Sequence, residues 1–255
     1  MTTKMIHKSL VVFTTLLVII MTNSFTNSTA FKEEQLKFPR VQESYNEKES
    51  TIKNLLAKQQ LSTNNLNVFI RIFKQEDILE IWGKAKENPK YKLIKTYPIC
   101  SKSGILGPKR KQGDYQVPEG FYHISAFNPN SNFYLSMMIN YPNQSDRILG
   151  AKGNLGNNIC IHGNCVTIGC IPITDDLIKE VYIFATEAKN NGQNNIPVHI
   201  FPFKLTSNNL LMAKTGNNAV LTNFWNNLKS GYYAFENTGT IPQFKVADDG
   251  GYVYY

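Results

Sequence analysis

Cys170 and His162 are the residues whose types and spacing best suit covalent chemistry. A free thiol has a pKa of about 8.5 and is mostly protonated at neutral pH, so a nucleophilic cysteine needs a base. An imidazole within hydrogen-bond reach converts it into a thiolate–imidazolium pair. The eight residues from one to the other leave room for a strand, a tight turn and a return. His162 closes an apolar run, Gly163 opens the turn, and Cys170 lies just ahead of a helix that Thr174 would cap. Gly169 has no side chain, so the backbone there can approach a substrate closely. Its N–H and that of Cys170 are candidates for holding a developing oxyanion. Thr167 offers a hydroxyl three residues before the thiol.

The four cysteines also support other readings, which the residues alone leave open. A cysteine in a β-rich core often serves as a small hydrophobe. Cys160, Cys165, Cys170 and His162 could form a zinc set, although cysteine spacings of five and five depart from the short knuckles of structural sites. A disulfide among Cys100, Cys160 and Cys165 suits an oxidising compartment and leaves Cys170 as the odd thiol. A Cys165–Cys170 bond would shut the proposed chemistry off. His123 and His199 fall inside strands and read as packed or surface residues. Glu119 and Asp114 lie in a loop where acids are commonplace. No glycine loop of the phosphate-cradling type is present.

The elements around this segment read as a β-rich domain. Leu66–Phe73 and Ile78–Trp82 form a hairpin pattern, and Tyr91–Cys100 continues it. Gly104–Gly120, with Gly107, Pro108, Gly113 and Pro118, reads as a long functional loop. Phe121–Phe127, Phe133–Tyr141, Asn158–His162 and Ile196–Phe203 are further strand patterns. One helix is clear: Asp175 and Asp176 sit in its positive first turn, and Leu177, Val181, Phe184 and Ala188 share a face. After Lys204 a second stripe runs through Leu221, Phe224, Trp225, Leu228 and Tyr232. The class is α+β.

The chain has 255 residues, 42% apolar and 18% charged, which excludes a largely disordered chain. Its one long apolar run follows Lys4 and Lys8 and gives way to small residues up to Ala30. Residues 1–30 therefore read as an export signal or an uncleaved anchor, which excludes a multi-span membrane protein. Residues 31–65 read as a polar spacer, partly helical from the weak spacing of Ile52, Leu55 and Leu56, with 66–206 as the main folded domain and 207–255 as a helical C-terminal extension. The formal charge of +8 suits anionic wall polymers or lipid head groups. Nucleic acid fits an exported chain poorly, and membrane contact is expected only through the N-terminal segment.

His162-Gly163 followed by Thr167-x-Gly169-Cys170 resembles the active-site signature of L,D-transpeptidases with the YkuD-type catalytic domain. Tyr97-Pro98-Ile99-Cys100, Pro118-Glu119-Gly120-Phe121-Tyr122 and Val198-His199-Ile200-Phe201-Pro202-Phe203 are similar to the YafK-like branch, over about residues 66–235. The resemblance implies a β-rich catalytic domain with a few helices that acts on peptidoglycan stem peptides without cofactor or metal. Cys170 would attack the carbonyl at the L-centre of meso-diaminopimelate, His162 would serve as base, and the Gly163 carbonyl would orient its ring. Gly169, Thr167 and Ile168 would line the oxyanion and substrate side. The thioester would pass to an amine of a second stem, to a lysine of a wall-linked lipoprotein, or to water. The commoner signature has a histidine directly before Gly-Cys and an arginine or asparagine soon after. Ile168 and Pro172 stand there, leaving Lys109–Lys111 or Arg147 as replacement cations. A non-catalytic peptidoglycan-binding module of the same fold is the alternative.

Overall fold

A computed structural model describes residues 30–214 and 219–255. The export segment expected over residues 1–30 lies outside these, save Ala30. Ten strands are present among the described residues: β1 (Leu66–Phe73), β2 (Ile78–Ala85), β3 (Lys92–Pro98), β4 (Gly120–Asn128), β5 (Ser136–Ile139), β6 (Cys160–His162), β7 (Ile171–Pro172), β8 (Pro197–Phe201), β9 (Phe244–Val246) and β10 (Tyr252–Tyr254). Six α-helices accompany them among the described residues: α1 (Ala30–Leu36), α2 (Pro39–Lys58), α3 (Gln144–Leu149), α4 (Asp175–Asn190), α5 (Ser207–Lys214) and α6 (Ala219–Thr238). The protein is α+β. No helix among the described residues is long and apolar enough to cross a membrane.

Eight strands form one sheet in the order β3-β2-β1-β8-β4-β5-β6-β7, and β9 and β10 form a separate hairpin. β1 pairs antiparallel with β2 and parallel with β8, and β6 pairs parallel with β7. β1 is buried at seven of its eight positions, as a strand covered on both faces must be. One face carries α4 and α2, where Val181, Ile183, Ile52 and Leu56 join the core of Ile70, Ile72 and Val198. The other face carries α6 and the hairpin, where Trp225, Leu228 and Tyr232 meet Phe73, Phe121, Phe201 and Tyr252.

The reading of residues 31–65 as a polar spacer is corrected. α2 buries Val41, Tyr45, Ile52 and Leu56. Its outer faces are charged, which makes the segment polar on average while a thin apolar seam does the packing. Ion pairs align it on α4: Lys179 meets Glu43 and Glu47 at 2.9 and 2.8 Å, and Lys48 meets Asp176 at 2.5 Å. α4 is buried from Ile178 to Ala188, so its own charged groups need partners. Glu187 accepts from Lys32 Nζ and the Tyr45 hydroxyl, and Glu180 from Lys95 Nζ and the Tyr97 hydroxyl.

The C-terminal segment reaches the loop that precedes β4. Glu119, fully buried, accepts hydrogen bonds from Trp225 Nε1 at 2.8 Å, Lys74 Nζ at 2.9 Å and the Gly107 N–H at 2.7 Å. Lys74 Nζ also donates to the Gly107 and Val117 carbonyls. One carboxylate thus ties α6, the end of β1 and both ends of the 104–120 loop together.

Ile52→Ala is expected to lower unfolding free energy by about 2–5 kcal/mol, the range for truncating a buried aliphatic side chain. Urea unfolding measures it. An unchanged midpoint would mean that α2 is not part of the core.

Candidate active site

The site is built by the β6–β7 pair. Ile161 stands opposite Ile171 and His162 opposite Pro172 in parallel register. The chain between them leaves β6 and returns to its side, so Cys170 arrives beside the strand that carries His162. Ile161 and Ile171 are buried, which fixes the register, because a slip of one residue would turn both to the other face. His162 is 1% exposed, and its ring lies 4.5 Å from the Phe133 ring. Its Nδ1 is hydrogen-bonded to the Gly163 carbonyl oxygen. That contact assigns the proton to Nδ1 and leaves Nε2 to accept from the thiol.

The sulfur of Cys170 sits in a hydrogen-bonding cage. The Cys160 thiol and the His162 imidazole are its neighbouring polar groups, and the Cys160 N–H donates to it at 3.4 Å. Together these outweigh burial and hold the Cys170 thiol well below its ordinary pKa. The Cys160 thiol moves the opposite way, because the neighbouring Cys170 sulfur favours its neutral form and burial opposes its charge. Sequence reasoning treats Cys160 as a disulfide or zinc candidate and misses this contact. The signal is the register: one position before the Ile161–Ile171 pair, residues 160 and 170 face each other.

The turn carrying Cys170 is held by Thr167. Its hydroxyl accepts the Gly169 N–H at 3.1 Å and donates to the Cys170 carbonyl at 2.8 Å. The expectation that the Gly169 amide points at an oxyanion is therefore corrected: that N–H is committed to Thr167, which leaves the Cys170 amide as the candidate. Gly169 adopts a φ of +138°, and a Cβ there would lie 3.1 Å from the Gln116 carbonyl oxygen. Both the backbone angle and the loop above it call for glycine. At the other end, the Asp175 carboxylate accepts the Asn164 N–H at 2.7 Å. A Cβ on Gly163 would come within 2.5 Å of that same oxygen, so only glycine lets the turn close on the helix start. Of the residues expected to act together, His162, Thr167, Gly169 and Cys170 line one cavity, and Gly163 holds the His162 ring through its carbonyl. Ile168 is 75% exposed on the rim of that cavity.

Cys170 lines two cavities. One, of about 340 Å³, is walled mainly by apolar residues including Ile72, Ile99, Leu106 and Val117. The other, of about 710 Å³, is lined by His162, Asn154, Asn157, Asn158 and Thr167. A disulfide joins Cys100 to Cys165 with a Cα separation of 5.4 Å, tying the start of the 100–106 loop to the 163–170 turn. This pairing removes Cys165 from any zinc set and leaves Cys160 and Cys170 as free thiols. Two of the replacement cations are already engaged, and Lys111 lines neither cavity. Lys109 reaches the larger cavity, but Asp114 holds its ammonium at 2.6 Å, and Arg110 pairs with Asp146 at 3.2 Å. Arg147 lines neither cavity. His199 is buried among Phe69, Phe121 and Phe201, and His123 lies on β4 away from both cavities.

Two outcomes follow from this geometry. Alkylation of Cys170, followed by mass spectrometry across a pH series, is expected to show a midpoint below the ~8.5 of a free thiol, and His162→Gln is expected to raise it. Identical profiles in the two proteins would mean that the imidazole does not act on the sulfur. Thr167→Val is expected to lower unfolding free energy by about 1–3 kcal/mol, because the Gly169 N–H and the Cys170 carbonyl each lose a partner. Denaturant titration reads the change.

The catalytic-domain model of the L,D-transpeptidases, of the YkuD type, matches residues 69–200. The Escherichia coli K12 protein named "Putative L,D-transpeptidase YafK" is 41% identical over 188 residues, 73% of each chain, and its counterpart in strain O157:H7 matches equally. Among solved structures, the helical cell shape determining protein Pgp2 of Campylobacter jejuni is similar with a TM-score of 0.43 and 16% identity, over 72% of this chain and 74% of its own. Bd1075 of Bdellovibrio bacteriovorus is similar with a TM-score of 0.37 and 23% identity, over 54% of this chain and 48% of its own. With a matching catalytic domain across half its length, and that degree of identity to YafK, the chain belongs to the L,D-transpeptidase family.

Proposed function

We propose that the protein is an exported cysteine acyltransferase or hydrolase of the cell envelope, acting on peptidoglycan stem peptides at meso-diaminopimelate. The observation that carries this reading is the Cys170 sulfur paired with the His162 imidazole on the wall of an open cavity. Family membership supports the substrate class, and the geometry is consistent with the roles.

His162 Nε2 takes the thiol proton while its Nδ1 stays bound to the Gly163 carbonyl. The sulfur attacks the carbonyl carbon at the L-centre, and negative charge gathers on the carbonyl oxygen near the Cys170 N–H. The C–N bond breaks, the imidazolium proton passes to the leaving amine, and an acyl thioester remains on Cys170. The leaving amine is D-alanine, a neighbouring stem or a protein lysine. An incoming amine or water then gives its proton to His162 and attacks the thioester, which returns the thiol. Ile168 and the asparagines around the cavity contact the peptide without adding charge. Transpeptidase, lipoprotein-linking or -releasing enzyme, and carboxypeptidase or amidase share the first half of this cycle.

Cys170→Ala is expected to fold normally and lose all turnover of tetrapeptide muropeptides, read by mass spectrometry of digested sacculi. New cross-linked dimers in the wild-type digest indicate an amine acceptor, and trimmed stems or freed lipoprotein indicate water. Sacculus binding with no product from the wild-type protein would replace this reading with a non-catalytic binding module.

A further inference from the structure

The chain has four cysteines, and Cys100 and Cys165 are bonded to each other. The remaining two stand across the β6–β7 pair, one position before its register begins. Facing residues on neighbouring strands have Cα atoms about 5 Å apart. A disulfide spans about 4.4–6.8 Å between Cα atoms, a range that this register and the 3.4 Å contact of the Cys160 N–H with the Cys170 sulfur bring within reach. Because Ile161 and Ile171 turn into the core, Cys160 and Cys170 share the opposite, half-buried face. Both thiols donate to the Asn158 carbonyl oxygen, at 3.5 and 3.6 Å, and the Cys160 N–H donates to the Cys170 sulfur at 3.4 Å. Two cavities open on Cys170, so a small oxidant can reach it.

We propose that Cys160 and Cys170 form a reversible redox site, in which a hydroperoxide oxidises Cys170 and Cys160 resolves the product as a Cys160–Cys170 disulfide. In the first step the Cys170 sulfur attacks the outer oxygen of the hydroperoxide. The O–O bond breaks, the remaining oxygen leaves as water or an alcohol after taking a proton, and Cys170 becomes a sulfenic acid. The Cys160 sulfur then attacks the Cys170 sulfur. Its thiol proton leaves with the sulfenic hydroxyl as water, and the S–S bond forms. The two thiols lose two electrons in all, and the hydroperoxide gains them. A dithiol reductant reverses the bond by exchange and restores both thiols. Without Cys160 beside it, the sulfenic acid would meet further peroxide and pass irreversibly to the sulfinic and sulfonic acids. The bond itself depends only on the two sulfurs. That it silences acyl transfer rests on the reading of Cys170 as the nucleophile.

The test treats purified full-length protein with hydrogen peroxide, then maps peptides under non-reducing conditions. Wild-type protein is expected to lose two hydrogens in intact mass and to yield a Cys160–Cys170 linked peptide, with Cys100–Cys165 unchanged. After dithiothreitol, alkylation of Cys170 is expected to recover. Cys160→Ser protein is expected to gain two or three oxygen atoms on Cys170 and to recover no alkylation. Wild-type Cys170 gaining those oxygens at the rate of the Cys160→Ser protein would overturn the proposal, as would a bond from Cys170 to Cys165. Muropeptide turnover by the reduced protein separates the two readings: a linked peptide without any turnover sinks the enzyme and leaves the redox site standing.

Discussion

The parallel pairing of two very short strands, β6 and β7, is the constraint on which the functional surface depends. Two buried pairs, Ile161 with Ile171 and His162 with Pro172, hold that register, and the register decides whether a sulfur and an imidazole meet. The remaining local structure defends it from both sides. Thr167 closes the turn on itself, Asp175 fastens the other end to the helix start, and the Cys100–Cys165 bond keeps the turn against the neighbouring loop. None of these groups needs to touch a substrate. They act by removing the freedom that would let the thiol drift from its base.

Elements with strong periodicity were legible in the amino-acid order. β1, β4 and β8 are dense in β-branched and aromatic residues because both faces of the sheet are covered. α4 carries its capping threonine, its two aspartates and its apolar stripe in plain view. α2 showed only as weak helical spacing, because four buried apolar side chains in twenty residues leave a charged composition that resembles a linker. The glycine and cysteine spacing made the motif recognisable, and the resemblance it suggested agrees with the family. Hydrogen-bond allegiance was not readable. Nothing in the order of residues says that the Gly169 N–H belongs to Thr167, or that Cys160 faces Cys170 rather than Cys100. Those facts are set by pairing across the sheet, which spacing along the chain does not encode.

Charge shows the same divide. The basic composition invites the idea of free cations waiting at the site. In the folded protein Lys109 and Arg110 are spoken for by Asp114 and Asp146, and they shape the loop instead. Asp114 also accepts the N–H groups of Arg110, Lys111 and Gln116. The polar side chains that face the larger cavity are mostly uncharged amides and hydroxyls set among apolar residues such as Phe133, Ile159 and Ile168, and they can align a peptide by hydrogen bonding rather than by net attraction.

Glu119 connects regions far apart in the chain. Because this carboxylate receives Trp225 from α6 as well as Gly107 and Lys74, the loop roofing the thiol is braced from the far end of the polypeptide. A premature stop codon ahead of position 225 would spare every residue of the cysteine motif and still remove that brace. The buried carboxylate would then keep only Lys74 and the Gly107 N–H, and the roof would slacken over an otherwise complete reaction centre.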